Sequence, residues 1–324
     1  MGRMHLLSSI VNPATGQVEG YCIIKSVALK SNIKGSDYLD LVLYDAGGEI
    51  NAKLWDYNAE QHGRYEPDSI IKVRASVNLW KETEQLKIDR IRNLKEDEEV
   101  DMDGLIPCAP RDPAQMYDTL YKRAEGFEDG DLRMLTQYLL REHKEDLLRW
   151  PAALKLHHAM RGGLLYHTHT MLRAAEALCD IYAPLYPALS RELVYAGVIL
   201  HDIAKVPELR VGALGLATAY SVPGQLLGHI SMGVSMIERA AAELMIDDGI
   251  KQLAQHILLS HHGQAEFGSP KPPMFPEAEL VAQIDLLDSR MFEMFDALEP
   301  VQVGEFSERQ WALDNRQLYK HGHA

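Results

Sequence analysis

The second half of this 324-residue chain carries histidine and aspartate at positions where helical periodicity expects apolar side chains. The stretch GVILHDIAKVPEL (197–209) begins as an apolar helix, and His201 and Asp202 then interrupt it, with Lys205 one turn later. A carboxylate at the edge of a buried helix costs several kcal/mol unless it is paired, hydrogen-bonded or bound to a metal. Further candidates of these residue types in apolar helical segments are His167, His229, His261, His262 and Asp285.

Imidazole and carboxylate groups are the ligands by which proteins hold Mn²⁺, Fe²⁺, Zn²⁺ or Mg²⁺. Helices that line one bundle interior can bring such side chains to one point although they are far apart in sequence. A single histidine on an apolar helix is more often a hydrogen-bonded core residue, so the prediction of a metal site depends on all of these histidines and aspartates together. We therefore predict a divalent metal centre, whose charge would compensate Asp202. Asp288, one turn after Asp285, is an alternative ligand, and His169 is expected to face solvent.

The period of the apolar residues changes once along the chain, which predicts two parts. Within residues 17–95, apolar and polar residues alternate in five segments, as in half-buried strands. Five strands in about 80 residues match an OB-type barrel. After the prolines at 107, 110 and 113, apolar residues recur at three- and four-residue spacing, as in helices. The predicted fold class is multidomain α+β: an N-terminal five-stranded OB-type β-barrel (1–100), an acidic, proline-containing linker (101–116) and an all-α helical bundle (117–324).

Composition limits the class of protein. The net charge of −14 argues at first against a nucleic-acid partner, but the acidity lies in the run EDEEVDMD (96–103) and in the C-terminal part, and the barrel segment is nearly neutral. The three cysteines are far apart, so neither a disulfide framework nor a zinc knuckle is indicated. No apolar run approaches the ~18 residues that span a bilayer. We expect a cytoplasmic protein with no membrane partner, and homo-oligomerisation stays open.

The strand alternation also predicts a surface on the barrel. OB barrels bind single strands through aromatic side chains that stack on bases, set among basic residues. The residues of these types off the apolar face are Tyr38, Tyr44, Lys53, Trp55, Lys72, Arg74 and Lys87. The alternative is an ordinary exposed face, since lysines and aromatics are common on strands.

The ordered set His167, His201-Asp202 and Asp285 resembles the signature of the HD superfamily of metal-dependent phosphohydrolases, over roughly residues 150–300. The ligand set that this resemblance implies for a first ion is His167, His201, Asp202 and Asp285. For a second ion it is Asp202 as a bridge, His229 and His261, with His262 as the alternative to His261. Ala204 in HDIAK stands where such motifs commonly carry Gly, and Tyr166 stands before His167 where an acidic residue is more usual.

Two such ions, ~3.5–4 Å apart, would activate a water molecule and hold a phosphate for in-line attack. Asp202 is then a catalytic residue as the bridge. Lys205, one turn after His201 on the same helix face, would neutralise the phosphate, and a surface ion pair is the alternative. His262, assigned here as the member of its pair that does not bind metal, would contact phosphate or donate a proton to the leaving group.

A barrel followed by a bundle with the motifs GGLLYHT, HDIAK, LLGHI, LSHHG and IDLLD resembles the YhaM family of 3′–5′ exoribonucleases over nearly the whole chain. The resemblance implies a hydrolase that degrades single-stranded RNA, with single-stranded DNA as a further candidate, to nucleoside 5′-monophosphates. It would use two divalent ions, Mn²⁺ first, with Fe²⁺, Mg²⁺ or Zn²⁺ as alternatives. The competing hypotheses are an HD-type phosphohydrolase on free or cyclic nucleotides, with the barrel serving assembly, and a binding module without activity.

Overall fold

The structure is a computed structural model that describes residues 11–323 apart from 13–15, 34, 46–47, 81–82, 96, 99, 101, 103 and 155–156. The chain forms two compact units, Met1–Cys108 and Ala109–Ala324. Among the described residues, no helix is both long enough and apolar enough to cross a membrane.

The first unit is a closed barrel. Its strands are β1 (Val11–Asn12), β2 (Gln17–Ser31), β3 (Asp37–Asp45), β4 (Gly48–Leu54), β5 (Ile70–Trp80) and β6 (Thr83–Asn93), with the short helix α1 (Ala59–His62) after β4. The order is β1-β2-β3-β4-β6-β5, and β5 also pairs with β2, which closes the five long strands into the predicted OB-type barrel. Among the described strands of this unit, only β4 and β6 pair in parallel. Strands β3 and β4 pair antiparallel, and residues 46–47 between them lie outside the described part.

The alternation of the strands explains the core of the barrel. Leu39, Leu41 and Leu43 of β3 are buried, and so are the apolar residues of β4 at alternate positions. Because successive side chains of a strand point to opposite faces, the intervening residues lie on the outside. The predicted inner and outer faces of these two strands are therefore confirmed.

The second unit is helical. Its elements are α2 (Pro113–Glu125), α3 (Gly130–Glu142), α4 (Lys144–Leu147), α5 (Gly163–Tyr182), α6 (Arg191–Leu200), α7 (Lys205–Glu208), β7 (Leu209–Val211), β8 (Ala217–Tyr220), α8 (Val222–Leu244), α9 (Asp248–Ser260) and α10 (Pro276–Leu298). The β7–β8 hairpin is an addition to the all-α bundle expected from the sequence. Helix α2 begins within the stretch 101–116 assigned to a linker, because Asp112 caps it and Pro113 suits its first turn.

Helix α6 lies at the centre of the unit and ends at the predicted metal ligands. Ser190 is its N-cap, since the Ser190 hydroxyl accepts a hydrogen bond from the Leu193 N–H at 3.2 Å. A Cβ at Gly197 would lie 3.0 Å from Ile257 of α9 and 3.1 Å from Val281 of α10. The absence of a side chain at position 197 thus lets α9 and α10 pack tightly against α6, close to its C-terminal end.

After α10 the chain turns back in a C-terminal segment, residues 299–323. It holds a 3₁₀ helix (Trp311–Leu313) and two isolated β-bridges, Phe306 with Tyr319 and Gln310 with Arg316. Leu313 and Leu318 are buried and anchor this segment, whose 3₁₀ helix contacts α10.

Candidate metal centre

The helical unit brings every predicted metal ligand into one buried cluster. His167 lies in the first turns of α5, His201 caps the end of α6, and Asp202 follows it directly. The remaining members of the cluster are His229 of α8, His261 at the end of α9 and Asp285 of α10. The cluster therefore depends on the packing of five helices.

One half of the cluster surrounds Oδ2 of Asp202. The Nε2 atom of His167 lies 3.3 Å from Nε2 of His201 and 3.2 Å from Oδ1 of Asp285. Oδ2 of Asp202 lies 3.2 Å from Nε2 of His201 and 3.8 Å from Nε2 of His167. Two imidazole nitrogens and two carboxylate oxygens thus converge, which is a ligand set that divalent transition metals accept.

The other half of the cluster surrounds Oδ1 of the same carboxylate. Nε2 of His229 lies 3.4 Å from Oδ1 of Asp202, and Nε2 of His261 lies 3.7 Å from it. Asp202, which is buried, therefore presents one oxygen to each group of histidines. Both oxygens of this buried carboxylate therefore have imidazole neighbours, a set of groups that can hold divalent metal.

The outer ring nitrogens of these histidines are all occupied, so that the inner ones face the cluster. The hydrogen bonds of the four Nδ1 atoms are His167 to Asp288 (2.8 Å), His201 to the Val198 carbonyl (2.8 Å), His229 to Glu208 (3.1 Å) and His261 to the Leu258 carbonyl (2.8 Å). An acceptor at Nδ1 fixes the proton there and leaves the Nε2 lone pair for a metal. Such an arrangement is expected for ligands and is not needed for core histidines.

A break in α8 places His229. Gly228 has φ 71° and ψ 159°, a conformation open essentially to glycine alone, and it interrupts the helix just before the ligand. Glu208 accepts hydrogen bonds from both the backbone N–H of His229 (2.8 Å) and its Nδ1. A Cβ at Gly224 would lie 2.2 Å from the Glu208 carbonyl oxygen, so α8 packs closely against the end of α7. One carboxylate thus caps the second half of α8 and orients its histidine.

Electrostatics favours a cation in this cluster. Burial alone would raise the pKa of the Asp202 carboxyl, but the charge of Lys205 and the neighbouring imidazoles hold it well below its usual range. Burial also opposes protonation of His167, yet its hydrogen bonds with Asp285 and Asp288 outweigh burial and raise its pKa to about 9. The Asp202 carboxyl is therefore ionised, and the negative charge that favours a proton on His167 would equally favour a metal ion in place of that proton.

Polar atoms without partners show that the residues fit metal ions. Within the described part of the chain, Oδ1 of Asp202, Nε2 of His229 and Nε2 of His261 are buried without a hydrogen-bond partner, although they face one another. Burial lowers the pKa of His261 well below its ordinary value, so that its ring is neutral and donates nothing from Nε2. Buried orphan acceptors cost ~1–3 kcal/mol each. A divalent cation between them would remove that cost.

The cluster opens into a cavity of about 450 Å³. Its wall includes His229, His261 and Asp285, and also Lys205 and His262. This volume is within the range of sites that bind small organic ligands. The side chains of the cluster can therefore be reached by a substrate group as well as by ions.

A model of the HD domain family matches residues 164–290, which span the cluster from His167 to Asp285. The 3′-5′ exoribonuclease YhaM of Bacillus subtilis (strain 168) is 43% identical over 304 residues, which cover 94% of this chain and 95% of that protein. This chain belongs to the YhaM family of 3′-5′ exoribonucleases. The YhaM proteins of Bacillus licheniformis and of Geobacillus sp. (strain WCH70) are each 41% identical over 94% of this chain, and cover 95% and 92% of their own lengths. The family resemblance expected from the motifs is confirmed.

Lys205 and His262 of this YhaM-family chain also lie at the cluster. Nζ of Lys205 is 2.7 Å from Oδ2 of Asp202 and is buried, so the alternative of a surface ion pair is wrong. The ring of His262 lies 4.1 Å from that of His261 and 5.4 Å from that of His229, measured between centroids. Burial lowers the pKa of His262, which favours its neutral form. Both side chains line the cavity, where a substrate could meet them.

Asp288, His158 and His169 lie near the cluster. Asp288, considered as an alternative to Asp285, contacts the outer nitrogen of His167 and so supplies the orienting carboxylate that Tyr166 does not. His158 is buried, with Nε2 3.7 Å from Asp288. His169 was expected to face solvent and is buried, because α5 packs against α2, α6 and α10 and hides most of its circumference.

The barrel of the YhaM-family chain brings some of its predicted binding residues together. The rings of Tyr38 and Trp55 have centroids 4.7 Å apart, and Nζ of Lys53 lies 5.3 Å and 5.5 Å from them. Lys87 of β6 is the register partner of Lys53 of β4, so it extends this group across the strands. The four residues form an aromatic and basic patch, called here the β4 patch.

The other predicted binding residues of the barrel lie elsewhere. Lys72 is 5.2 Å from the ring of Tyr21, and Arg74 is the register partner of Glu19, so both belong to the β2–β5 side. Tyr44 is half-buried near the far end of β3 from Tyr38, and burial raises its pKa to about 12. The alternation placed all three correctly off the apolar face, but strand register decides which of them are neighbours.

Proposed function

We propose that this chain is a metal-dependent 3′–5′ exoribonuclease that shortens single-stranded RNA and releases nucleoside 5′-monophosphates. The observation that carries the proposal is the convergence of imidazole Nε2 atoms on both oxygens of Asp202, with every Nδ1 already bonded. Membership of the YhaM family supports the direction of degradation and the RNA substrate. A phosphohydrolase acting on free or cyclic nucleotides is not favoured, because the matched relatives carry the exoribonuclease name along nearly their whole length.

The proposed centre holds two divalent ions. His167, His201 and Asp285 would hold the first, His229 and His261 the second, and Asp202 would bridge them. We propose Mn²⁺, since a mixed set of imidazole and carboxylate ligands suits it, with Fe²⁺, Zn²⁺ and Mg²⁺ as the alternatives. When bound, such a pair activates water and stabilises charge on the attacking and leaving oxygens of a phosphodiester.

Two side chains beside the ligands act on the substrate in this proposal. Lys205 is charged, because Asp202 raises its pKa although burial opposes this, and its ammonium would bind a phosphate oxygen. His262 lines the same cavity, and its ring would donate a proton to the 3′-oxygen that leaves the phosphorus. The attacking water supplies the oxygen that remains on the released 5′-monophosphate.

The barrel would hold the rest of the strand. The β4 patch combines stacking rings with two lysines, which is how OB barrels grip single strands with little sequence preference. Lys72, Arg74 and Tyr44 would contribute a second, weaker contact. Single-stranded DNA is a further candidate, since stacking and phosphate contacts do not read the 2′-hydroxyl. The cytoplasmic location expected from the sequence stays a prediction.

The test is a single-stranded RNA oligonucleotide labelled at either end, incubated with EDTA-treated protein and added Mn²⁺. We expect the 3′ label to appear at once in mononucleotides while the 5′-labelled strand shortens stepwise. Asp202→Asn should reduce the rate more than 100-fold, beyond the loss seen for residues that only orient ligands. The control, Asp296→Asn, changes an exposed carboxylate of α10 and should keep the full rate. Shortening that needs no metal, or that survives in Asp202→Asn, would refute the proposal.

A further inference from the structure

The cavity beside the proposed metal ligands contains a tryptophan that has no role in binding metal. Trp311 lines the cavity together with His229, His261 and Asp285, and it is 74% exposed. Tryptophan carries a large apolar surface that proteins usually bury in their interior or against a partner. Its exposure at the opening of a substrate cavity therefore requires an explanation.

The turn that carries Trp311 is held rigidly. Leu313 is buried beneath it, and the Arg316 N–H donates to the Leu313 carbonyl at 3.1 Å. Asp314 and Asn315 then follow with φ of 57° and 61°, in the left-handed region that Asp and Asn tolerate better than other non-glycine residues. This turn presents Trp311 to the cavity.

An ion pair joins this turn to the helix that supplies a metal ligand. Oδ2 of Asp314 lies 3.4 Å from Nη2 of Arg290, and both residues line the cavity. Arg290 follows Asp285 by five residues on α10, which is about 7.5 Å along the helix axis. The turn that bears Trp311 and the helix that bears Asp285 thus line the same cavity and are joined by this ion pair.

We propose that Trp311 stacks on the base of the 3′-terminal nucleotide while the metal ligands hold the phosphodiester on the 5′ side of that nucleotide. This inference rests on the proposed exoribonuclease function and adds a base subsite to it. Stacking tolerates any base, because every base has a π-face, and this suits an enzyme that removes nucleotides one after another.

The experiment compares two RNA oligonucleotides that differ only in the base of the 3′-terminal nucleotide, which is present in one and abasic in the other. Wild-type protein should lose about 5- to 150-fold in kcat/KM on the abasic end, the factor equivalent to the ~1–3 kcal/mol of a stacked base. Trp311→Ala should lose the same factor on the normal end and nothing more on the abasic end. Trp311→Phe should recover most of the rate, since a phenyl ring still stacks.

The control variant is Phe306→Ala, which removes an exposed aromatic ring of the same C-terminal segment outside the cavity wall. It should respond to both oligonucleotides as the wild type does. A loss in Trp311→Ala that is equal on the normal and the abasic end would mean that Trp311 only supports the fold, and would overturn the inference.

A binding measurement separates this inference from the proposed function. Adenosine 5′-monophosphate, added with Mn²⁺, should quench the tryptophan fluorescence of the wild type and leave that of Trp311→Phe unchanged; the chain has four tryptophans, so the variant isolates one. If RNA is shortened but the two proteins are quenched equally, the base subsite is wrong and the exoribonuclease function stands. If RNA is not shortened, the function is wrong, and the difference in quenching still decides whether Trp311 stacks on a base.

Discussion

Removing the carboxylate of Asp288 should weaken the binding of the first ion of the proposed centre without changing any proposed metal ligand. Oδ2 of Asp288 lies 2.8 Å from Nδ1 of His167, and together with Asp285 it raises the pKa of that histidine to about 9 although burial opposes this. Loss of such an orienting partner costs 10- to 100-fold in metal affinity, or ~1.4–2.7 kcal/mol. Asp288→Asn keeps an oxygen that accepts the hydrogen bond and loses the charge, so we expect metal affinity to fall about 10-fold. Asp288→Ala loses both the oxygen and the charge, so we expect metal affinity to fall about 100-fold.

The assay is a calorimetric titration of EDTA-treated protein with Mn²⁺, followed by RNA degradation over a range of Mn²⁺ concentrations. The Kd of one of the two proposed ions should rise and the Kd of the other should stay unchanged. A high concentration of Mn²⁺ should restore most of the rate of RNA degradation. Asp296→Ala is the matched control on the same helix and should bind both ions as the wild type does. Unchanged affinity in Asp288→Ala, or a rate that added metal does not recover, would refute the reasoning.

Three further predictions follow from the two units. Saturating Mn²⁺ at about 100 times its Kd should stabilise the helical unit by ~2.7 kcal/mol, which calorimetry should record as a rise in Tm of roughly 5–10 °C that EDTA reverses. Trp55→Ala should weaken the binding of single-stranded RNA about 5- to 150-fold, and Lys53→Ala should reduce the slope of log K against log salt by about 0.7. The control Lys25→Ala, which removes a lysine paired with Glu49, should change neither quantity. Fluorescence anisotropy at several salt concentrations measures both. Gly197→Ala should lower the free energy of unfolding by ~1–3 kcal/mol through overpacking, while Gly130→Ala at an open position should not, as chemical denaturation would show.

The members of the buried cluster could be predicted because they interrupt apolar helices. His201 and Asp202 end a helix that is otherwise apolar, and this contrast marks them without any knowledge of their neighbours. The same applies to His167 and Asp285. The five strands of the barrel and their two faces followed for a similar reason, since alternation is a local property.

The partners of the ligands could not be predicted. Two of them are backbone carbonyls, and since every residue has one, the sequence does not indicate which carbonyl accepts the hydrogen bond. Glu208 reaches His229 only because α8 breaks at Gly228, and Asp288 reaches His167 through the packing of α10 on α5. The position of Trp311 depends on a turn without periodicity, so the cavity wall was not visible in the sequence either. Contacts of this kind depend on tertiary geometry rather than on local pattern.

The two kinds of partner on the outer ring nitrogens divide the centre into adjustable and fixed positions. In each proposed metal site one imidazole makes a hydrogen bond through Nδ1 to a carboxylate, that of Asp288 or Glu208, and the other makes it to a main-chain oxygen. A substitution at 208 or 288 can alter how strongly the carboxylate-bonded imidazole donates electrons to a metal. No substitution can remove the main-chain oxygen that the other imidazole contacts. Relatives of this chain that prefer another metal would therefore be expected to differ at 208 and 288, while the ends of α6 and α9 keep their geometry.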